Sequence, residues 1–314
     1  MSIYLFDLPR CILELTRSFG YIDAVKPMDS MLRFTVVLFP LFFLGCLQQF
    51  AVSTVGGVVH DGYSGIMEEG DLKFAGEALP ANLKLLEVML KSDPENEDIL
   101  LLLSEGYSSY SLGFIEDTDV DRARAFYLRG ADYGMRVLKG DEGIAAALNG
   151  PPERLRAALA EAGEDWIPAV FWTAFGLGGY VNLSLSDPDA LAELPRAEVM
   201  MEFVAGMDSS FYFAGADIFL GTLLGTRPRM LGGDTERATR HFERALRING
   251  GDFLLTHVYY ARSVALQTLN ESLFDELLLT VEKTSVDAVP AIRLPNAIAK
   301  EKARILRAQK SDYF

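Results

Sequence analysis

The chain has 314 residues, half of them hydrophobic, and carries a formal net charge of −15. It is long enough for one large domain or two small ones and can bury a sizeable core. Its acidic balance repels phosphate backbones and anionic lipid headgroups, which argues against nucleic-acid binding and electrostatic docking on a membrane. After the N-terminal region, no stretch reaches the roughly 20 apolar residues that span a bilayer.

The N-terminal region has the features of an export signal. From Met31 the sequence reads MLRFTVVLFPLFFLGC, in which a short basic stretch precedes an apolar run and a small residue precedes Cys46. We predict cleavage before Cys46 and acylation of its thiol. The alternative is an uncleaved membrane helix over residues 34–59, which would place two glutamines and a glycine pair in the bilayer.

This interpretation divides the chain into three parts. Residues 1–45 are the signal segment, and we expect translation to begin at Met28 or Met31 because the residues before them are net neutral and too numerous for a signal. Residues 46–70 are a lipidated tether, and residues 71–314 are the folded domain. The only other cysteine lies in the signal segment, so the mature domain has no disulfide and depends on its core for stability.

The domain after the tether is predicted to be helical. Apolar side chains recur there at helical spacing, with few runs of strict polar and apolar alternation. Proline and glycine separate the segments, and Asp93 and Asp234 stand where helix caps are expected. The predicted helices are 81–90, 98–114, 121–138, 167–183, 196–204, 211–224, 234–248, 253–269, 272–283 and 296–309, with two short extra helices within 140–163.

The helices pair, and the pairs carry a repeated motif. The tetratricopeptide (TPR) repeat packs two antiparallel helices, and its second helix carries Ala-x3-Phe-x2-Ala so that small and large side chains interlock. Ala238, Phe242 and Ala245 match this motif outright, and looser matches begin at Ala123 and Ala197. We therefore predict an all-α, TPR-like array of about four irregular helical-hairpin pairs with extra helices and a C-terminal capping helix. An ordinary α-helical bundle is the alternative.

Few side chains offer catalytic or metal-binding chemistry. The three histidines have no metal-ligand partner three or four residues away, and acylation leaves no thiol for nucleophilic catalysis. Asp117, Asp119 and Asp121 begin like a calcium loop, but Arg122 stands where that loop needs glycine. A solvated turn that caps the next helix explains these acids better. We predict no enzyme activity, no cofactor and no metal.

Aromatic side chains cluster on the first helices of successive pairs, beside several glycines. In a right-handed array the first helices line the concave surface, so some rings are expected to face a groove. We predict that five of them line or border an apolar groove for a ligand or a partner segment: Trp172, Phe175, Phe211, Tyr212 and Tyr259. In the competing account, the glycines let helices approach closely and the rings fill the core.

An ordered series of segments resembles the TatT family, the TPR-containing lipoproteins known as T components of tripartite (TRAP) solute transporters. The segments are LFFLGC, PENEDILLLLSEGYSSYSLGFIE, the helix over 122–138, AVFWTAFGLGGYVNLSLSD and GGDTERATRHFERAL. They extend over most of the chain after Met31. Each is weakly specific alone, but the ordered series is much more specific.

The resemblance implies a periplasmic, membrane-tethered protein that works with a soluble solute-binding P component. It also implies self-association as a trimer and apolar channels through each protomer. The rival function is a generic TPR scaffold lipoprotein for envelope complex assembly. A stable complex with a solute-binding protein would favour the transport function.

Overall fold

The computed structural model describes residues 65–314, and within that range every regular element is helical. The predicted all-α fold is therefore confirmed. None of these helices is both long enough and apolar enough to cross a membrane. The signal segment, Cys46 and the tether up to residue 64 lie outside the described residues, so those expectations remain predictions.

Thirteen α-helices follow one another through this part of the chain. The first seven are α1 (Leu72–Leu90), α2 (Glu97–Tyr110), α3 (Val120–Leu138), α4 (Glu142–Ala147), α5 (Pro152–Ala162), α6 (Ile167–Asn182) and α7 (Pro188–Ala192). The others are α8 (Leu194–Met207), α9 (Phe211–Thr226), α10 (Thr235–Asn249), α11 (Leu255–Tyr260), α12 (Glu271–Lys283) and α13 (Arg293–Ala308). Two wide π-helical turns extend α2 and α11, over Ser111–Ile115 and Ala261–Ala265.

Helix α1 begins well before the predicted start at residue 81. Its N-terminus is capped by Asp71, whose carboxylate accepts hydrogen bonds from the backbone N–H groups of Lys73 and Phe74. Pro80 lies inside this helix. Ala75 and Leu79 are buried on the face that packs inward. This burial holds the first two turns despite the hydrogen bond that proline removes.

Two of the predicted caps can be compared with the structure. Asp234 caps α10 as expected, since its carboxylate accepts from the backbone N–H groups of Glu236 and Arg237. The prediction for Asp93 was wrong. Helix α2 is capped by Asn96, whose side chain accepts from the Ile99 N–H, and Asp93 instead accepts a hydrogen bond from the Asn96 amide.

Helices that follow one another along the chain also pack together. Helix α1 contacts α2, α2 contacts α3, and α3 makes the most extensive contact in the described chain, with α6. Helices α6, α8, α9 and α10 continue the series, while the short α5 packs on α8. Such an order is what a helical-repeat array would produce, and the TPR assignment stays a prediction.

The residues of the repeated motif lie in the core. Ala238, Phe242 and Ala245 are all completely buried on α10. Phe242 stacks on Tyr260 of α11 with 4.9 Å between ring centroids. The small and large side chains of the motif therefore interlock with neighbouring helices, which is the packing that the motif predicts.

A cavity lined by aromatic residues as candidate functional site

A cavity of about 700 Å³ lies among the helices, and its wall takes residues from α1, α2, α3, α6, α7, α8, α9, α11 and α13 and from segments beside them. Its size is within the range of small-molecule sites. The wall is mainly apolar, and its apolar residues include Ile66, Met67, Leu79, Leu112, Phe114, Phe171, Phe175, Val181, Leu185, Leu191, Leu194, Ile218, Phe219, Leu223, Phe253, Leu255, Leu294 and Ile298. The π-helical turn over Ser111–Ile115 contributes Leu112 and Phe114 to this wall.

The structure divides the five predicted groove residues into two groups. Phe175, Tyr212 and Tyr259 line the cavity. Trp172 and Phe211 are not among the lining residues. Trp172 is almost fully buried and meets the Tyr212 ring edge-on at 4.7 Å. It therefore supports the wall from behind, and the cluster contributes to the core and to the cavity together.

Phe211 has the same supporting position on the other side of the cluster. Its ring packs against Phe171, a cavity-lining residue, with 5.2 Å between centroids at a steep angle. Phe171 itself is completely buried. Phe211 thus borders the cavity through a second aromatic layer.

A left-handed turn at the start of α9 sets the backbone conformation of Tyr212, whose side chain lines the cavity. Tyr212, Phe213 and Ala214 have φ values of 45°, 59° and 63°, a conformation that costs about 1–2 kcal/mol per residue for side chains with a Cβ. The Asn249 side-chain amide donates a hydrogen bond to the Phe213 carbonyl at 3.0 Å. The Phe213 ring also stacks on Phe253 at 4.8 Å. No glycine marks this turn, so sequence patterns gave no sign of it.

The glycines near the cavity have two different roles. Gly178 and Gly215 lie in the wall, where a Cβ at Gly215 would come within 2.7 Å of the Phe171 ring and one at Gly178 would meet Phe219. Their missing side chains make room for rings that shape the cavity. Gly176 instead faces α3, and a Cβ there would lie 2.8 Å from the Tyr127 carbonyl oxygen. Close helix approach is therefore the role of Gly176.

A buried ion cluster closes one part of the wall. Lys302 contacts the carboxylates of Glu116 and Asp117 at 2.7 and 2.6 Å, and the Tyr127 hydroxyl donates to Glu116 at 2.5 Å. Burial alone would lower the pKa of Lys302, but the carboxylates outweigh it and raise that pKa. Burial, together with Glu116, also raises the pKa of Tyr259. The lysine is charged and the phenol neutral at physiological pH.

The three acids whose spacing resembles the start of a calcium loop, Asp117, Asp119 and Asp121, have separate roles in the structure. Asp117 joins the ion cluster, while Asp119 caps α3 by accepting a hydrogen bond from the Arg122 N–H. Asp121 pairs with Arg124 on the surface. In residues 65–314, no group of three or more histidine, cysteine or acidic side chains is arranged to hold a metal.

A second ion pair lies in the wall where α8 and α9 meet the cavity. Arg227 donates to Glu198 through Nη2 at 3.1 Å, while its Nε is buried and has no hydrogen-bond partner. The lining residues on either side of Arg227 in the chain, Thr226 and Pro228, are exposed to solvent. This region is therefore an opening of the cavity. Arg227 and Glu198 lie 29 positions apart in the chain, so no local pattern marks them as partners.

Two histidines have structural partners away from the cavity wall. His241 bonds through Nδ1 to the completely buried Asp217 at 2.7 Å, and Arg244 approaches the other oxygen of that carboxylate at 3.5 Å. His257 bonds through Nε2 to the Gly251 carbonyl at 3.1 Å. Burial lowers the pKa of His257 more than this hydrogen bond raises it.

Comparison with known proteins identifies the family. The model of the TRAP transporter T-component family (TAtT) matches residues 68–314, which is most of the chain and nearly all of the part described above. This chain belongs to the TRAP transporter T-component family. It is therefore an accessory component of a TRAP transport system, as the resemblance in its sequence predicted. The family is one of accessory transport components and is not known as an enzyme family.

A relative from Treponema pallidum (strain Nichols) is also similar to this T-component chain. It is described as an uncharacterized protein and is 26% identical over 266 residues, covering 79% of this chain and 81% of the relative. The similarity extends over most of both proteins.

Proposed function

We propose that this protein is a periplasmic lipoprotein, anchored through Cys46, that acts as the T component of a TRAP-type uptake system and holds an apolar ligand in its cavity. It would associate with the soluble solute-binding P component and assemble as a homotrimer. Family membership supports the transport role. The observation that supports ligand binding is the mainly apolar cavity of about 700 Å³ with an opening beside Arg227.

Ligand binding is tested with the soluble domain, starting after Cys46, and an environment-sensitive apolar dye such as N-phenyl-1-naphthylamine. We expect saturable binding with one site per chain. Phe175→Ala alters the cavity wall, so it is expected to change dye affinity at least about threefold, corresponding to the loss of part of an aromatic contact. The matched control is Phe74→Ala, because Phe74 is 61% exposed on α1 and does not line the cavity. Equal affinities for wild type and both variants would contradict the cavity as the binding site.

The roles of the two aromatic layers are separated by Trp172→Ala and Tyr212→Ala. Truncating the buried Trp172 is expected to lower stability by about 3–5 kcal/mol, because it leaves a void among packed rings. Tyr212→Ala is expected to cost less, since one side of this ring faces the cavity, and to weaken binding of dye or P component per folded molecule. Loss of stability in both variants with no change in binding would favour a purely structural role for the cluster.

Anchoring and assembly need their own measurements. In membrane extracts, the native protein is expected in the detergent phase and Cys46→Ala in the aqueous phase. Sedimentation of the soluble domain is expected to show a trimer, and co-purification with the P component of the same transport system a stable complex. Failure to form a complex with the P component would favour the scaffold function.

A further inference from the structure

We infer that the Tyr259 hydroxyl is the recognition group of the cavity wall, and that its ligand is a mainly apolar molecule with one uncharged oxygen acceptor, such as a ketone, ester or ether. This inference rests on the proposed ligand-binding function and names the ligand class. It follows from a comparison of the three tyrosines that line the cavity, from the surface that Tyr259 leaves accessible, and from the apolar wall around it.

Three tyrosines line the cavity, and Tyr259 differs from the other two in its hydroxyl. The Tyr127 hydroxyl donates a hydrogen bond to Glu116 at 2.5 Å, and the Tyr212 hydroxyl pairs with Ser109. The Tyr259 hydroxyl has no hydrogen-bond partner within residues 65–314. A tyrosine hydroxyl surrounded by protein usually has a partner, so this one is available to a bound molecule.

The Tyr259 hydroxyl is reachable from the cavity. Unpaired polar atoms without accessible surface occur elsewhere in the described chain, for example Oγ of Ser104, but the Tyr259 hydroxyl is not one of them. Tyr259 is only partly buried, yet protein surrounds it so closely that burial is the main cause of its raised pKa. Accessible surface in such surroundings faces an internal space, and the space that Tyr259 lines is the cavity.

The hydroxyl keeps its proton and can donate it to a ligand oxygen. Burial and the nearby Glu116 raise the pKa of Tyr259, so the phenol is neutral at physiological pH. Each oxygen of Glu116 already accepts a hydrogen bond, Oε2 from Tyr127 and Oε1 from Lys302. This carboxylate does not bind the Tyr259 proton, which leaves the phenol as a donor for the ligand.

The wall around Tyr259 favours an uncharged oxygen. Leu255 of the same helix and Leu294 of α13 also line the cavity. Lys302 is not among the lining residues, and its ammonium contacts Glu116 and Asp117. A ligand carboxylate would lose its water here and receive a hydrogen bond from a neutral phenol, which does not compensate for that loss. A ketone, ester or ether oxygen loses far less hydration and is satisfied by one hydroxyl.

Two probes of nearly the same shape test this inference: 1-acetylnaphthalene, which has a ketone oxygen, and 1-ethylnaphthalene, which has none. Their affinities are measured by displacement of the dye from the soluble domain, in wild type and in Tyr259→Phe, which removes only the hydroxyl. We expect the ratio of ketone to hydrocarbon affinity to fall about threefold to tenfold in Tyr259→Phe, the effect of one hydrogen bond between uncharged groups. At pH 8, 1-naphthoate is expected to bind wild type more weakly than the ketone.

Tyr180→Phe is the matched control. Tyr180 lies on α6 and is not a lining residue, and its hydroxyl approaches Asp187 at 3.5 Å. This variant is expected to leave the ratio within about twofold of wild type. Without ligand, Tyr259→Phe is expected to melt at or above the wild-type temperature, because it removes an unpaired hydroxyl. Loss of a hydrogen bond within the protein would instead lower the melting temperature by about 2–4 °C.

The outcomes separate this inference from the proposed function. If the dye does not bind the folded wild-type domain, ligand binding and this inference are both refuted. If the dye binds, the inference alone is refuted by any of three results: neither probe displaces the dye, the affinity ratio is the same in wild type and Tyr259→Phe, or 1-naphthoate binds as tightly as the ketone. A lower melting temperature of Tyr259→Phe would also overturn it, since the hydroxyl would then have a partner in the ligand-free protein.

Discussion

Replacing Gly176 by alanine tests whether backbone contact between α3 and α6 holds the array together. A Cβ at Gly176 would lie 2.8 Å from the Tyr127 carbonyl oxygen and 2.9 Å from the Ala131 nitrogen. Both are backbone atoms of α3, so no side-chain rotation relieves the overlap. Helices α3 and α6, which share the most extensive contact in the described chain, would have to move apart.

Two opposing effects determine how much Gly176→Ala changes the free energy of unfolding. Alanine is favoured over glycine in a helix interior by about 1 kcal/mol. Overpacking costs about 1–3 kcal/mol, and two simultaneous backbone overlaps place Gly176→Ala at the upper end. We therefore expect a net loss of about 2 kcal/mol. For a domain of this size, that corresponds to a fall in melting temperature of about 4–8 °C.

Gly206→Ala is the matched control in the measurement. It is the same chemical change within α8, but a Cβ at Gly206 would have no atom within 4 Å. There only the helix preference acts, and we expect a gain of a few tenths to about 1 kcal/mol. Urea and thermal unfolding of both variants, followed by circular dichroism, decide the question. If Gly176→Ala is as stable as wild type while Gly206→Ala shows its gain, the argument from close helix approach is refuted.

Three further predictions concern the stability of the domain. Leu269→Gly is expected to stabilise the domain by about 0.5–1 kcal/mol in urea unfolding, because Leu269 has a φ of 50° and is 71% exposed; a loss of stability would contradict this. Lys302→Met leaves Glu116 and Asp117 without their cation and is expected to cost about 3 kcal/mol in the same assay. The lowered pKa of His257 means that protons bind the unfolded chain first. The contribution of neutral His257 to the free energy of unfolding is therefore complete above pH 6.5 and is lost as the pH falls from 6.5 through the lower pKa of the folded state. Unfolding of His257→Gln, measured over the same pH range, is expected to lack this part of the pH dependence.

Local patterns in the sequence predicted most of the secondary structure. The helical spacing of apolar residues placed α3, α6, α9, α10 and α12 close to their observed bounds, and the insertion over 140–163 contains the two short helices expected there. The motif of Ala238, Phe242 and Ala245 also predicted a fully buried face. These features depend on residues within one or two helical turns, so a sequence contains them directly.

The cavity was predicted only in part. Rings at Phe175, Tyr212 and Tyr259 line it, whereas Trp172 and Phe211 support it from behind. On an α-helix, neighbouring rings point in different directions, and sequence alone does not say which of them meets another helix. The left-handed turn that orients Tyr212 has no glycine to reveal it.

The sequence by itself determined the helical class, the positions of most helices, the repeated motif and the family resemblance, because each rests on local periodicity or on an ordered series of segments. The tertiary structure alone decided which charges meet. Lys302 contacts Glu116 across 186 positions of the chain, and Arg227 reaches Glu198 from the next helix pair. Such contacts depend on how closely helices approach, as at Gly176, and on the free volume that remains between them. The cavity is a product of that packing.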